Sequence, residues 1–144
     1  MLKKTITYVD FNDQEITEDF FFNLSEAEIS DWQYSNEDGL TMSEYMQKIY
    51  ETKNANKLYK LMKHLILMTY GEKSADGKHF RKSPEITSDF ECSAAYPVLF
   101  SELMSDADKA SEFIKACLPK SMVKHMPSTV EEAKKLIAEQ RGKN

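Results

Sequence analysis

Glycine, proline and cysteine are all scarce in this chain. Its 144 residues include 4 Gly, 4 Pro and 2 Cys. So few Gly and Pro leave little material for the many tight turns of sandwiches and barrels, and the expectation shifts to helices. Two cysteines, Cys92 and Cys117, are too few for a disulfide framework or a zinc site, and they suit a reducing compartment. Long apolar runs are also missing. The longest near a helix, Leu65-Ile66-Leu67-Met68, falls far short of the roughly 20 residues a membrane span needs, so no membrane partner is expected. The opening Met1-Leu2-Lys3-Lys4-Thr5 runs into alternating polar and apolar residues. It lacks the apolar stretch of a signal peptide, so the expected setting is the cytoplasm.

What is present suffices for a core. The apolar fraction is 41% and the aromatic fraction 11%, enough for collapse. The length suits one domain, since domains average about 100–200 residues. Eight Met stand out. They admit two readings, ordinary core filling and a surface that adapts to a variable apolar helix. Trp32, Tyr34, Tyr45, Tyr50 and Tyr59 add amphipathic area of the kind interfaces favour.

The net charge of −5 averages over blocks of opposite sign. Residues 5–47 carry 11 acidic side chains and no basic one, whereas residues 48–82 carry 9 Lys/Arg against 3 acids. Residues 83–118 return to 7 acids against 2 bases, and residues 119–144 hold 6 bases and 3 acids. These blocks read either as solvated faces or as complementary surfaces, within the fold or between copies stacked head to tail. Nucleic acid is not the expected partner of the basic block, because acidic stretches on both sides would repel phosphates.

The periodicities predict a hairpin followed by helices. Thr5-Ile6-Thr7-Tyr8-Val9 reads as a strand, with Asn12-Asp13 as a two-residue turn. On the return strand Ile16, Phe20, Phe22 and Leu24 share one face, and Phe21 breaks the alternation and needs cover of its own. Ser25 with Glu28 forms a capping box, flanked by Leu24 and Ile29 as a hydrophobic staple. Thr41 with Glu44 repeats that grammar and opens a stripe of Met42, Tyr45, Met46, Ile49 and Tyr50 at helical spacing. A central helix is predicted from about Ala55 to Tyr70 with Gly71 as its C-terminal cap; Lys53, Lys57 and Lys60 lie on one exposed side. A loop with an Asp76-Gly77 turn follows, then helices opening at Ser83-Pro84, near Ser93 and at Ser105-Asp106-Ala107-Asp108. Residues 120–127 read as a linker and Ser128 starts a charged last helix. The predicted class is α+β, mainly α, an N-terminal β-hairpin packed on about five to seven short helices. The predicted division is a domain over 1–119 and an extension over 120–144.

No catalytic or metal constellation emerges. Gly71-Glu72-Lys73-Ser74 lacks the spacing and the strand-to-helix context of a phosphate loop. His64, His79 and His125 show no metal-ligand spacing with one another or with cysteine. Cys117 sits on an apolar helical stripe, where cysteine behaves as a small core residue. No cofactor, no metal and no catalytic residue is expected.

The order of segments does carry a resemblance. TITYVDFNDQEITEDFFFNLSEAEI, then GLTMSEYMQKI, then YGEKSADGKHF, then FECSAAYPVLFSELMSDADKASEFIKACLP together resemble the tail assembly chaperones of long-tailed bacteriophages and prophages. The resembling pieces run from residue 1 to about 119, and the tail after Pro119 lies outside them. Asn12-Asp13 in place of Asn-Gly, and Pro97 where a plain helix former is expected, depart from the pattern.

The resemblance implies a non-enzymatic protein of the host cytoplasm, absent from the mature virion. Such a protein binds the long helical tape measure protein, keeps it soluble and helps recruit tail tube protein. It also implies, in many members, a longer form made by frameshifting. An apolar groove lined by Met42, Tyr45, Met46, Ile49 and Tyr50 is the expected client site, although the same stripe also reads as core. Lys53, Lys57 and Lys60 form the expected basic side for self-association. The rival reading is a small helical regulator that binds a host protein.

Overall fold

A computed structural model describes residues 1–35, 40, 41, 44, 45, 47, 48, 51 and 55–119. Its elements are β1 (Leu2–Val9), β2 (Glu15–Phe22), α1 (Glu26–Ser35), α2 (Ala55–Thr69), β3 (Tyr70–Lys73), β4 (Phe80–Arg81), α3 (Pro84–Glu91), α4 (Ala95–Ser105) and α5 (Ala107–Cys117). The class is mixed α+β and mainly α. The expected hairpin is half of a larger unit, an antiparallel sheet in the order β1-β2-β3-β4.

The β1–β2 ladder pairs Leu2 with Phe22 and Val9 with Glu15, so both strands keep strict alternation. Ile6, Phe20 and Phe22 are buried on the inner face, while Lys3, Thr5, Thr7 and Val9 are exposed on the outer one. The turn differs from the two-residue one expected. It is a three-residue loop over Phe11, Asn12 and Asp13, and only Asp13 takes a positive φ, 60°. The Asp10 carboxylate organises it, accepting from the N–H groups of Asn12 and Gln14 at 2.9 Å each. This Asx geometry stabilises a three-residue loop as Asn-Gly would stabilise a two-residue one. Phe21 finds its cover on the outer face, where Lys73 Nζ lies 5.1 Å from the ring centroid.

The helix starts follow their caps. Ser25 Oγ accepts from Glu28 N–H at 3.1 Å while Glu28 Oε1 accepts from Ser25 N–H at 3.1 Å, and both staple residues, Leu24 and Ile29, are buried. Ser83 caps α3 through Ile86 N–H with Pro84 in the first turn. Asp106 caps α5 through the N–H groups of Asp108 and Lys109. Pro97 lies in the first turn of α4, where its missing N–H has no helical partner to lose.

The end of the central helix is a correction. α2 stops at Thr69 and the chain passes at once into β3, so Gly71 is a strand residue rather than a C-terminal cap. Gly71 stands opposite Phe21, and a Cβ there would lie 2.6 Å from Phe80 Cε2 and 2.9 Å from Arg81 O. Glycine is required by the Phe80 ring and the neighbouring backbone. The predicted Asp76-Gly77 turn is present, with Gly77 at φ +75°, but it joins two strands.

All of this closes on one core. Phe90 stacks on Tyr70 with ring centroids 4.2 Å apart, and Phe20, Phe22 and Tyr96 surround it at 5.5–5.8 Å. Phe22 also meets Phe113 of α5 edge-on at 5.1 Å. Leu65 and Ile66 of α2, Leu99 of α4 and Cys117 of α5 are fully buried beside them. The strand exit is bonded into this core, with Asn23 N–H donating to Thr69 O and Leu24 N–H to Cys117 O at 2.8 and 2.9 Å. The last carbonyls of α2 and α5, which have no helical partner, are thereby satisfied by the two residues that follow β2.

Candidate functional site

The expected client stripe is described at one position. Tyr45 is half-buried, and its ring meets Trp32 of α1 edge-on with centroids 5.2 Å apart. Both rings pack against the core. The turn that places Tyr45 carries half of its expected capping box: Glu44 N–H donates to Thr41 Oγ1 at 3.2 Å, while the Glu44 carboxylate accepts from the Thr41 hydroxyl at 3.0 Å rather than from its backbone N–H. Met42, Met46, Ile49 and Tyr50 lie outside the described residues, as does Lys53. Lys57 and Lys60 are exposed on α2, on the side predicted. The predicted linker and last helix, in residues 120–144, lie outside the described residues too.

The charge blocks meet inside the fold. Lys82, of the basic block, reaches Glu28 of the first acidic block at 2.6 Å and also donates to Asn23 O at 2.7 Å. Lys63 pairs with Glu91 at 3.4 Å, and Lys4 with Glu102 at 2.9 Å, each against the second acidic block. All three pairs stay partly solvated, so each contributes at most about 1 kcal/mol and serves register more than stability. Part of the basic block is therefore committed within the molecule rather than held for phosphates.

Two surfaces escaped the sequence reading. The first is the hairpin tip, where Phe11 is 84% exposed beside the half-exposed Val9. Residues 9–18 carry four acids, Asp10, Asp13, Glu15 and Glu18, and no base. The second is a groove of about 370 Å³ where β1, α4 and α5 meet. Leu2, Phe113 and Ala116 supply its apolar lining, and Lys4, Lys109, Glu102 and Glu112 its rim. The pattern Phe11-Asn12-Asp13 was a signal available in the sequence, because a large apolar side chain in a hairpin loop has no core to reach. The groove is formed by elements about a hundred residues apart and left no local trace.

Burial among apolar neighbours pushes the Cys117 thiol up to about 12, which suppresses the thiolate a nucleophile needs. Tyr8 is likewise pushed up to about 12, first because its hydroxyl donates to Glu18 Oε1 at 2.6 Å. The carboxyl of Asp76 is held below its ordinary value by the Ser74 hydroxyl and the Lys78 N–H, a loop-ordering arrangement. Among the described residues no group of three or more His, Cys, Asp or Glu side chains is placed to hold a metal, and no helix is long and apolar enough to cross a membrane.

Comparison with known proteins supplies one match. A family model described as phage tail assembly chaperone matches residues 1–143. The likeness thus continues past Pro119, where the segment reading had ended it. No curated protein and no solved structure matches this chain.

Proposed function

This chain belongs to the phage tail assembly chaperone family, and from that premise we propose that it binds the tape measure protein during tail assembly. It keeps that client soluble in the host cytoplasm, helps gather tail tube protein around it, and is absent from the finished virion. The role is one of binding and involves no catalysis. The observation that carries the reading is the match over residues 1–143, nearly the whole chain. The closed core supports it as well, because a stable body with exposed aromatic side chains suits transient protein contacts.

The client is an amphipathic helix, taken up by the stripe of Met42, Tyr45, Met46, Ile49 and Tyr50. Trp32 against Tyr45 gives that stripe a rigid aromatic flank. Copies add head to tail along the client, with Lys53, Lys57 and Lys60 of one copy facing the acidic block of the next. Residues 1–119 form the folded body, and residues 120–144 act as an extension.

The test is co-expression with the tape measure protein. The client should move from the insoluble to the soluble fraction and co-purify with the chaperone. Met46→Asp and Ile49→Asp should reverse that gain. If the unaltered protein leaves the client insoluble, the chaperone reading is wrong; if the variants keep the full activity of the unaltered chain, the stripe is wrong.

A further inference from the structure

The sheet ends on β1, an eight-residue strand with no proline and no bulge, and among the described residues its outer edge pairs with nothing. Long regular edges of this kind are templates for another strand. The direction of each backbone group follows from the hairpin. Asp10 N–H donates to Gln14 O, so the residues paired by hydrogen bonds to β2 are Asp10, Tyr8, Ile6, Lys4 and Leu2. Lys3, Thr5, Thr7 and Val9 therefore aim their N–H and C=O groups away from the sheet. The close side-chain contacts Thr5–Asp19 and Thr7–Thr17, at 2.6 and 2.9 Å, are those expected of the alternate, non-hydrogen-bonded pairs.

The geometry points to a second copy of this chain as the occupant of that edge: β1 pairs antiparallel with β1 of the other copy about a two-fold axis through Ile6, and each hairpin tip docks by the other copy's groove. The register follows from three constraints. Edge-facing groups must meet edge-facing groups, so Thr5 faces Thr7 and Lys3 faces Val9 of the second copy. Inner and outer faces must stay continuous, which restricts the pairing to residue numbers of even sum. Opposite charge must meet opposite charge. This register sets Lys4 beside Tyr8 and its partner Glu18, and Leu2 beside Asp10.

Beyond the paired residues, Phe11 of each copy then arrives at the Leu2 end of the other. The groove lined by Leu2, Phe113 and Ala116 opens there. The acidic tip meets Lys3, Lys4 and Lys109, with Glu102 already engaged by Lys4 at 2.9 Å. An exposed ring, an apolar groove and complementary charge thus occur twice in one symmetric contact.

This two-fold contact is separate from the head-to-tail addition of copies along the client; it rests on the proposed function for its role in tail assembly, but not for its geometry. The test is analytical ultracentrifugation of the full chain over a concentration series at low and high salt. A two-fold dimer of twice the 16.7 kDa monomer mass is expected, weakened by salt. Phe11→Asp acts at an exposed loop position and leaves the fold intact. Thr7→Pro removes an N–H that faces away from β2, so the β1–β2 ladder survives it. Each should weaken the dimer at least about tenfold, with unchanged far-ultraviolet circular dichroism.

A chain that stays monomeric up to about 100 μM, or a dimer whose affinity neither variant changes, overturns the edge assignment. Client solubility in co-expression reports separately. If the unaltered chain dimerises as expected but leaves the client insoluble, the chaperone reading fails and the edge contact stands. The reverse pattern breaks the contact alone.

Discussion

The two edges of the β1–β2 hairpin lead opposite lives. On the β2 side, Phe21 and Phe22 pair with Gly71 and Tyr70, and the rings of Phe20 and Phe22 are enclosed by Phe90, Tyr70 and Phe113. On the β1 side, Lys3, Thr5, Thr7 and Val9 are exposed and end at a tip carrying Phe11. One hairpin thus provides both the centre of the core and an eight-residue strand at the edge of the sheet. Stability and association can then be altered separately, which suits a protein that must stay folded while its partners change.

The comparison breaks first on the closed side. Phe22→Ala deletes a fully buried ring that touches Tyr70, Phe90 and Phe113. It should cost about 3–5 kcal/mol in chemical denaturation. A loss near 1 kcal/mol would mean that the aromatic cluster is not where the fold is held.

Gly71→Ala comes next, at about 1–3 kcal/mol, because its new methyl group meets Phe80 and the Arg81 carbonyl, and backbone cannot yield as a side chain can. Thermal melting checks this. A neutral result would show that β4 is not docked on β3 as described.

The third effect is smaller and depends on pH. Cys117 and Tyr8 both hold their protons more tightly folded than unfolded, each pushed up to about 12, from ordinary values of 9.0 and 10.0. The stability tied to them is complete below pH 9.0 and is lost as pH rises from there toward 12. At pH 10 the thiol accounts for at most about 1.4 kcal/mol. Denaturation midpoints should stay level to about pH 9 and then decline, and Cys117→Ala should move the onset toward the tyrosine range. An unchanged onset in that variant would remove the thiol as the cause.

The features legible in the sequence were those encoded locally. Ser25–Glu28, Thr41–Glu44, Ser83-Pro84 and Asp106 each announce a helix start through neighbours within four residues. The inward set Phe20, Phe22 and Leu24 was equally plain, because alternation over a long strand averages out exceptions such as Phe21. Strands β3 and β4 were not legible. Four residues and two residues carry no alternation of their own, and Tyr70 continues the helical period of α2.

What makes a strand of Tyr70–Lys73 is pairing with β2, nearly fifty residues away. Gly71 misled for the same reason, since a glycine after a helix reads as a cap when the Phe80 ring that demands it is distant in sequence. The charge blocks were visible as blocks, but which carboxylate meets which lysine was decided by topology. At the candidate site, the helical spacing placed Tyr45 on an apolar stripe, whereas its contact with Trp32, the Phe11 tip and the groove beside β1 are products of the assembled fold.

Amide hydrogen exchange on the full chain, followed residue by residue at low and high protein concentration, tests the contrast between the two edges most directly. The amides of Lys4, Ile6 and Tyr8 should be protected at both concentrations, because they bond to β2. Those of Lys3, Thr5, Thr7 and Val9 should exchange freely when the protein is dilute and slow down together as it is concentrated. Equal protection of both sets in dilute solution, or fast exchange of the second set at every concentration, would contradict the account.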